Sequence, residues 1–223
     1  MSDEEQHDPF HGFPLERRIV KRAAACGITL APPSAAGLAE HARAVLRINP
    51  IVHLTSITTQ KEYLERHLGE GFEGASMLDE GAQGLLLDLG SGNGYPGLPV
   101  AVARPGLELL MAEASRKKAE FLRGCVGFAG PGGARVLEAQ VQRATDLGES
   151  VALRALVCRA MGNWAKVLPR LASALAADGE MLLWGGADVE TVSGRAAWSK
   201  LRLAERKPLP GRERSWIWRF TRP

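Results

Sequence analysis

Residues 85–99 read Leu-Leu-Leu-Asp-Leu-Gly-Ser-Gly-Asn-Gly-Tyr-Pro-Gly-Leu-Pro. A run suited to a buried strand, Leu85–Leu89, carries Asp88 near its end and then breaks into Gly90, Gly92 and Gly94. Pro96 opens a helical segment, because its missing N–H costs nothing in a first turn. Glycines at the bend let the chain turn sharply and approach a ligand with no Cβ in the way. The helix N-terminus behind them offers free N–H groups. Ligands of open parallel sheets sit beyond the carboxyl ends of the strands, where this loop lies.

Two cofactor classes compete for such a loop. Gly92-Asn-Gly94-Tyr-Pro-Gly97 satisfies the dinucleotide spacing, with Glu113 about 20 residues on as the ribose-binding acid. Asp88-Leu-Gly90-Ser-Gly92-Asn-Gly94 instead fits the loop that binds S-adenosyl-L-methionine (SAM). The acid just ahead of the first glycine favours SAM. A carboxylate there repels a pyrophosphate but helps to order a loop around a ligand carrying ammonium and sulfonium charge.

The 223 residues, 45% hydrophobic and 24% charged, suit one globular domain with an appendage and a substantial core. No apolar run approaches a membrane span. The N-terminus is acidic rather than basic-then-apolar, which argues against a signal peptide. Cys26, Cys125 and Cys158 are odd in number and fit no metal spacing, so a reduced, cytoplasmic protein with no metal is expected. Cys158 reads as a small buried hydrophobe rather than a nucleophile. The net charge of +3 is modest, but residues 195–222 carry nine Lys/Arg against Glu205 and Glu213. That basic end either meets phosphates or forms a solvated strand face.

Residues 1–13 read as a disordered acidic tail and 14–84 as a helical region. Leu15, Ile19, Val20 and Ala23 mark one helix ending near Gly27. Ser34 is placed to cap a second, running to about Ile48. Thr59-Gln-Lys-Glu62 is a capping-box pattern for a third, to about Leu68. A glycine-rich connector, 69–84, follows. Over 85–223 strands alternate with helices, the pattern of a parallel α/β sheet. Strands are expected at 85–89, 107–112, 135–138, 153–158 and 180–184, with helices at 96–102, 115–127 and 164–176. A closing hairpin then pairs 200–207 with 215–221, where Trp216, Trp218 and Phe220 alternate with Ile217 and Arg219. A mostly parallel seven-stranded sheet with an antiparallel last strand is the SAM-dependent (class I, Rossmann-like) methyltransferase fold rather than an NAD-binding sheet.

Absences narrow the methyl acceptor. The Asn/Asp-Pro-Pro-aromatic loop of adenine amino-methyltransferases is replaced by Arg159-Ala-Met-Gly162. No cysteine is placed for attack on cytosine, and no His/Asp cluster offers a base for an oxygen acceptor. An acceptor already nucleophilic at neutral pH remains, such as guanine N7, which needs positioning and a suitable field more than proton transfer.

From about Asn49 to Pro223 the chain resembles the RsmG (GidB) family, bacterial enzymes that methylate N7 of a guanosine in small-subunit ribosomal RNA. The matching segments are His53-Leu-Thr-Ser-Ile57, Arg66-His67, Asp88–Gly97, Ala103-Arg-Pro105, Lys117-Lys-x-x-Phe-Leu122, Cys158-Arg-Ala160 and Gly211-Arg-Glu-Arg214. The resemblance implies SAM against Gly90, Tyr95, Val141, Gln142 and Arg159, with 16S rRNA or a small-subunit precursor as partner and a monomeric protein. Asp88, Gly92 and Gly94 complete the loop, and Glu113 is suited to ribose hydroxyls or to capping the next helix. Arg159 and Arg214 are the implied catalytic pair. An arginine stays protonated, so Arg159 would orient the acceptor through its forked donors or else form a structural ion pair with Asp88 or Glu113. Trp184 and Gln140 stand where the family carries basic residues, His53 replaces an asparagine, and Glu70-Gly71 stands where Asp-Ser is usual. Arg143 or Lys166 can compensate for the lost charge, and Trp184 either stacks on an RNA base or fills the core. A different acceptor, a non-catalytic SAM/RNA-binding module and an NAD enzyme are the competing readings.

Overall fold

A computed structural model of the chain describes residues 9–130, 132–148 and 150–223. The fold begins earlier than the tail reading implies. Phe10 is buried and its ring meets Phe13 and Tyr63 edges. Residues 1–8, the acidic part of that tail, lie outside the described residues.

Helix α1 (Leu15–Ala24) buries Leu15, Ile19 and Ala23, the positions its periodicity marks. Helix α2 spans Pro32–Val52, opening on its prolines rather than on a Ser34 cap, since both prolines suit an N-terminal turn. It runs past Ile48 and stops where His53 turns left-handed, at φ 55°. Helix α3 (Gln60–Tyr63) starts on Thr59, whose hydroxyl accepts the Glu62 N–H at 3.3 Å. It widens into a π-helical turn, Leu64–Gly69, and continues as α4 (Glu70–Ala75).

The expected glycine-rich connector is therefore helical through Ala75. Glycine is a poor helix former, so its use here needs a packing reason. A Cβ on Gly71 would overlap the Pro99 ring, and one on Gly74 would overlap the indole of Trp184. Close approach, not flexibility, accounts for these two glycines.

Among the described residues the sheet has seven strands in the order β3-β2-β1-β4-β5-β7-β6. They are β1 (Gly84–Leu89), β2 (Leu107–Ala112), β3 (Ala134–Leu137), β4 (Leu153–Arg159), β5 (Leu175–Gly185), β6 (Arg202–Pro208) and β7 (Trp216–Thr221). The first five pair in parallel, and β7 runs antiparallel to β5 and β6, which is the expected topology. Helices α5 (Gly97–Ala103), α6 (Arg116–Arg123), α7 (Trp164–Leu171) and α8 (Asp188–Ser193) connect them. Strand β5 is longer than expected and α7 shorter, because Leu175 already pairs with Leu153 of β4.

One face of the sheet packs Leu86, Leu109, Trp184 and Ile217 against α1, α2, Tyr63, Phe72 and α5. The other packs Leu87, Leu156, Leu183 and Trp218 against α7, Trp198 and Leu201. Each fully buried Leu or Ile contributes roughly 1.5–3 kcal/mol. The N-terminal helices share the first of these cores, so they cover one side of the carboxyl edge. Strand order reverses at β1, between β2 and β4, and a crevice for a ligand opens at the carboxyl ends of such strands.

Candidate active site at the carboxyl edge of the sheet

The loop after β1 takes the shape its glycines permit. Gly90, Gly92 and Gly94 have φ of 75°, 57° and 89°, a region other residues rarely adopt. The Gly90 and Ser91 amides donate to the Ala112 carbonyl at 2.9 and 3.1 Å, tying the loop to the end of β2. Asp88 lies beneath it, fully buried; its Oδ2 accepts the Gly97 N–H at 3.1 Å and its Oδ1 has no partner among the described residues. A Cβ on Gly97 would sit 2.5 Å from this carboxyl. Burial pushes the Asp88 carboxyl up to about 7. Its part in the site is to order the loop from below.

Beside the loop, at the end of β2, Glu113 accepts the Gly92 N–H at 2.9 Å and the Ser115 N–H at 2.8 Å. A carboxylate has about four acceptor positions, so room remains for two hydroxyls. A Cβ on Gly90 would meet nothing within 4 Å, which leaves main chain facing open space. These groups fit a ligand with a vicinal diol and a chain that lies along the backbone.

A cavity of about 480 Å³ extends from the loop to the N-terminal helices, lined by Gly90, Asn93, Tyr95, His67, Glu70, Arg159, Trp184 and Arg212 among others. Arg159, the last residue of β4, donates to the Arg66 carbonyl at 2.8 Å and to His67 Nδ1 at 2.9 Å. Its NH1 lies 3.5 Å from Glu70 Oε2, while Arg212 donates to Glu70 Oε1 at 2.9 Å. One carboxylate thus bridges two arginines. The expected ion-pair partners of Arg159 were Asp88 or Glu113; the observed partner is Glu70, which α4 brings to it.

A guanidinium only donates, so His67 Nδ1 accepts and its proton resides on Nε2, 2.9 Å from Thr55 Oγ1. Burial first, then the charges of Arg159 and Arg66, hold the His67 imidazole well below its ordinary range. It is neutral. Its ring stacks on Tyr95 at 4.9 Å and 14°, and the Tyr63 hydroxyl donates to the Tyr95 hydroxyl at 3.2 Å.

Of the residues singled out in the sequence, the fold brings Gly90, Gly92, Tyr95 and Arg159 to the cavity wall. Gly94 holds the loop against His41, which a Cβ would approach to 3.0 Å. Glu113 and Gln142 stand outside that wall, around the ends of β2 and β3. Val141 is buried in the second core, leaving Gln142 half-exposed beside it, its amide held at 2.8 Å by Asp146. Arg214 does not line the cavity; it is exposed in the β6–β7 turn, with φ 57°. Arg212, two residues earlier, lines it. Trp184 fills core space against Gly74 and donates its indole N–H to the Glu70 carbonyl at 3.3 Å. Arg143 is spent on Asp146 at 3.6 Å. Cys158 packs in the core, and burial pushes its thiol up. His67, Glu70 and Arg212 were present in the quoted segments without an assigned role, since their meeting depends on the fold.

Comparison with known proteins agrees with the fold. The model of the GidB family, described as rRNA small subunit methyltransferase G, matches residues 35–204. A ribosomal RNA small subunit methyltransferase G from Sorangium cellulosum is 35% identical over 81% of this chain and 76% of its own. One from Stenotrophomonas maltophilia is 38% identical over 69% and 68%. Among solved structures, magnesium protoporphyrin IX methyltransferase from Synechocystis PCC 6803, with bound SAM, is 16% identical, covers 74% of this chain and 83% of that one, and has a TM-score of 0.56. The mitomycin 7-O-methyltransferase MmcR covers 96% of this chain and 70% of that one at 18% identity and a TM-score of 0.56. These two likenesses establish the fold.

Proposed function

Because the chain belongs to the rRNA small subunit methyltransferase G family, we propose that it transfers a methyl group from SAM to N7 of a guanosine in 16S ribosomal RNA. The observation that carries the choice of acceptor is the lack of a free base among the described cavity residues. Glu70 is the acid in the lining and is shared by Arg159 and Arg212. His67 is neutral and its accepting nitrogen is engaged by Arg159. An acceptor that must lose a proton finds nothing to take it, whereas guanine N7 presents a lone pair.

Bound SAM supplies a methyl group activated by a sulfonium. The chain's own part is positioning. Gly90 and Gly92 present main chain, Glu113 accepts from ribose hydroxyls, and Gln142 flanks the adenine. Asp88, from beneath, keeps Gly97 and the loop in register. Arg159 remains a cation although burial pulls it below its ordinary range. Its remaining N–H donors, held in direction by Arg66 and His67, can meet guanine O6 or a phosphate. Arg66 and Lys118, on the same cavity, offer charge to the RNA backbone. On this reading the protein acts in the cytoplasm as a monomer. Among the described residues no helix is long and apolar enough to cross a membrane.

The test is incubation with labelled SAM and small subunits from cells lacking this methylation, followed by nucleoside mass spectrometry. N7-methylguanosine is the expected product, and label in any other nucleoside, or none, overturns the proposal. Calorimetry with SAM and NAD side by side should show binding of SAM alone. Unchanged turnover in Arg159→Ala would remove Arg159 from the mechanism.

A further inference from the structure

A second cavity, of about 550 Å³, opens on the α7 side of the sheet. It is lined by Lys166 and Arg170 of α7 and by Arg195, Trp198, Ser199 and Lys200 of the segment between α8 and β6. No Asp or Glu is among its lining residues. The other basic residues of this C-terminal stretch are mostly spent. Arg206 pairs with Glu190, Lys207 with Glu73, Arg212 with Glu70 and Arg219 with Glu205. By contrast, Lys166, Arg170, Arg195 and Lys200 form no ion pair among the described residues.

Trp198 is 1% exposed, and its buried indole N–H has no hydrogen-bond partner among the described residues. Its ring forms part of the cavity wall, flanked by the exposed side chains of Lys166, Arg170, Arg195 and Lys200. Every charged group there donates and none accepts. Four like charges around one cavity repel until an anion neutralises them, and a tetrahedral anion with several acceptor oxygens suits ammonium and guanidinium donors together.

We propose that this cavity is a second phosphate-binding site, which takes a backbone phosphate of the RNA substrate away from the methylated nucleotide. The RNA source rests on the proposed function; the phosphate chemistry does not. Helix α7 begins five residues after Arg159, so a strand leaving the active site over the start of α7 meets Lys166 first.

The experiment has two arms on the full-length protein. In the first, inorganic phosphate is titrated while the Trp198 indole N–H resonance is followed by NMR, assigned as the peak lost in Trp198→Phe. A saturable shift, abolished in the Arg170→Gln/Lys200→Gln double variant, is expected; no shift in the wild type overturns the site whatever the enzyme methylates. In the second, small-subunit RNA binding is measured against salt. The double variant should bind about tenfold more weakly, with a log–log salt slope shallower by about one to two, while SAM affinity and melting temperature stay unchanged. An unaltered slope and affinity, with the phosphate shift present, overturns the RNA source and leaves a site for a free phosphate or nucleotide. Failure of the wild type to methylate small-subunit RNA, with the shift present, overturns the proposed function and leaves the phosphate site standing.

Discussion

Asp88→Asn should make the fold more stable at neutral and higher pH. The wild-type carboxyl is pushed up to about 7 by burial, from an ordinary 3.8. Between those values the unfolded chain has released its proton and the folded chain has kept it. Stability therefore falls as pH rises through this window and levels off above it. Each unit corresponds to about 1.4 kcal/mol, so the raised pKa costs the fold about 4 kcal/mol at about pH 8 and about 1.5 kcal/mol at about pH 5. Asparagine keeps an oxygen for the Gly97 N–H and carries no charge. The stability difference between variant and wild type should thus grow by about 2.5 kcal/mol from about pH 5 to about pH 8. Urea unfolding followed by tryptophan fluorescence, with equal m-values for the two proteins, measures it. A difference that stays flat across this range would show that Asp88 is ionised in the free protein, and would refute the account of the loop's foundation.

Three further outcomes follow from the same geometry. His41 is fully buried without a hydrogen-bond partner among the described residues, and burial pulls it to about 3 from 6.5. The unfolded state binds its proton first, so stability is lost as pH falls below 6.5, and His41→Phe should lower the acid-unfolding midpoint, the gap to wild type widening by about 1.4 kcal/mol per pH unit. Arg159→Lys keeps the charge but loses the fork that reaches Arg66 and His67 together. Methyl incorporation should fall in kcat/KM by about tenfold to a hundredfold, and a change under about twofold would deny the orienting role. Gly74→Ala drives a methyl into the Trp184 indole and should destabilise by about 1–3 kcal/mol; a melting temperature equal to wild type would contradict the close packing of α4 on β5.

Strands β1, β2 and β4 were legible because each is a short, largely apolar run stopped by a turn or a charged residue. That signal is local, and β2 begins and ends where its pattern does. The capped start at Thr59 was legible for the same reason, its partner being three residues away. Element ends were less so. Strand β5 claims Leu175 through a partner on β4, and α2 runs past Ile48, where Asn49 and Val52 are still half-buried. The stretch after Leu68 looked like a connector because glycine disfavours helix. Contact with Pro99 and Trp184 reverses that preference, and neither partner is near in sequence. Arg214 was named on resemblance; that Arg212 of the same turn lines the cavity is set by the hairpin's geometry.

The chain's residues alone determined the methyltransferase sheet, the glycine bend after β1 and the presence of an arginine at the end of β4, since all three follow from backbone freedom and short-range periodicity. Tertiary structure alone decided what Arg159 touches, with the Arg66 carbonyl 93 residues away and Arg212 joined to Glu70 across 142. It also decided which basic residues remain unpaired around Trp198. Charge pairing depends on distance in space, and only the packing of helices on the sheet sets that distance.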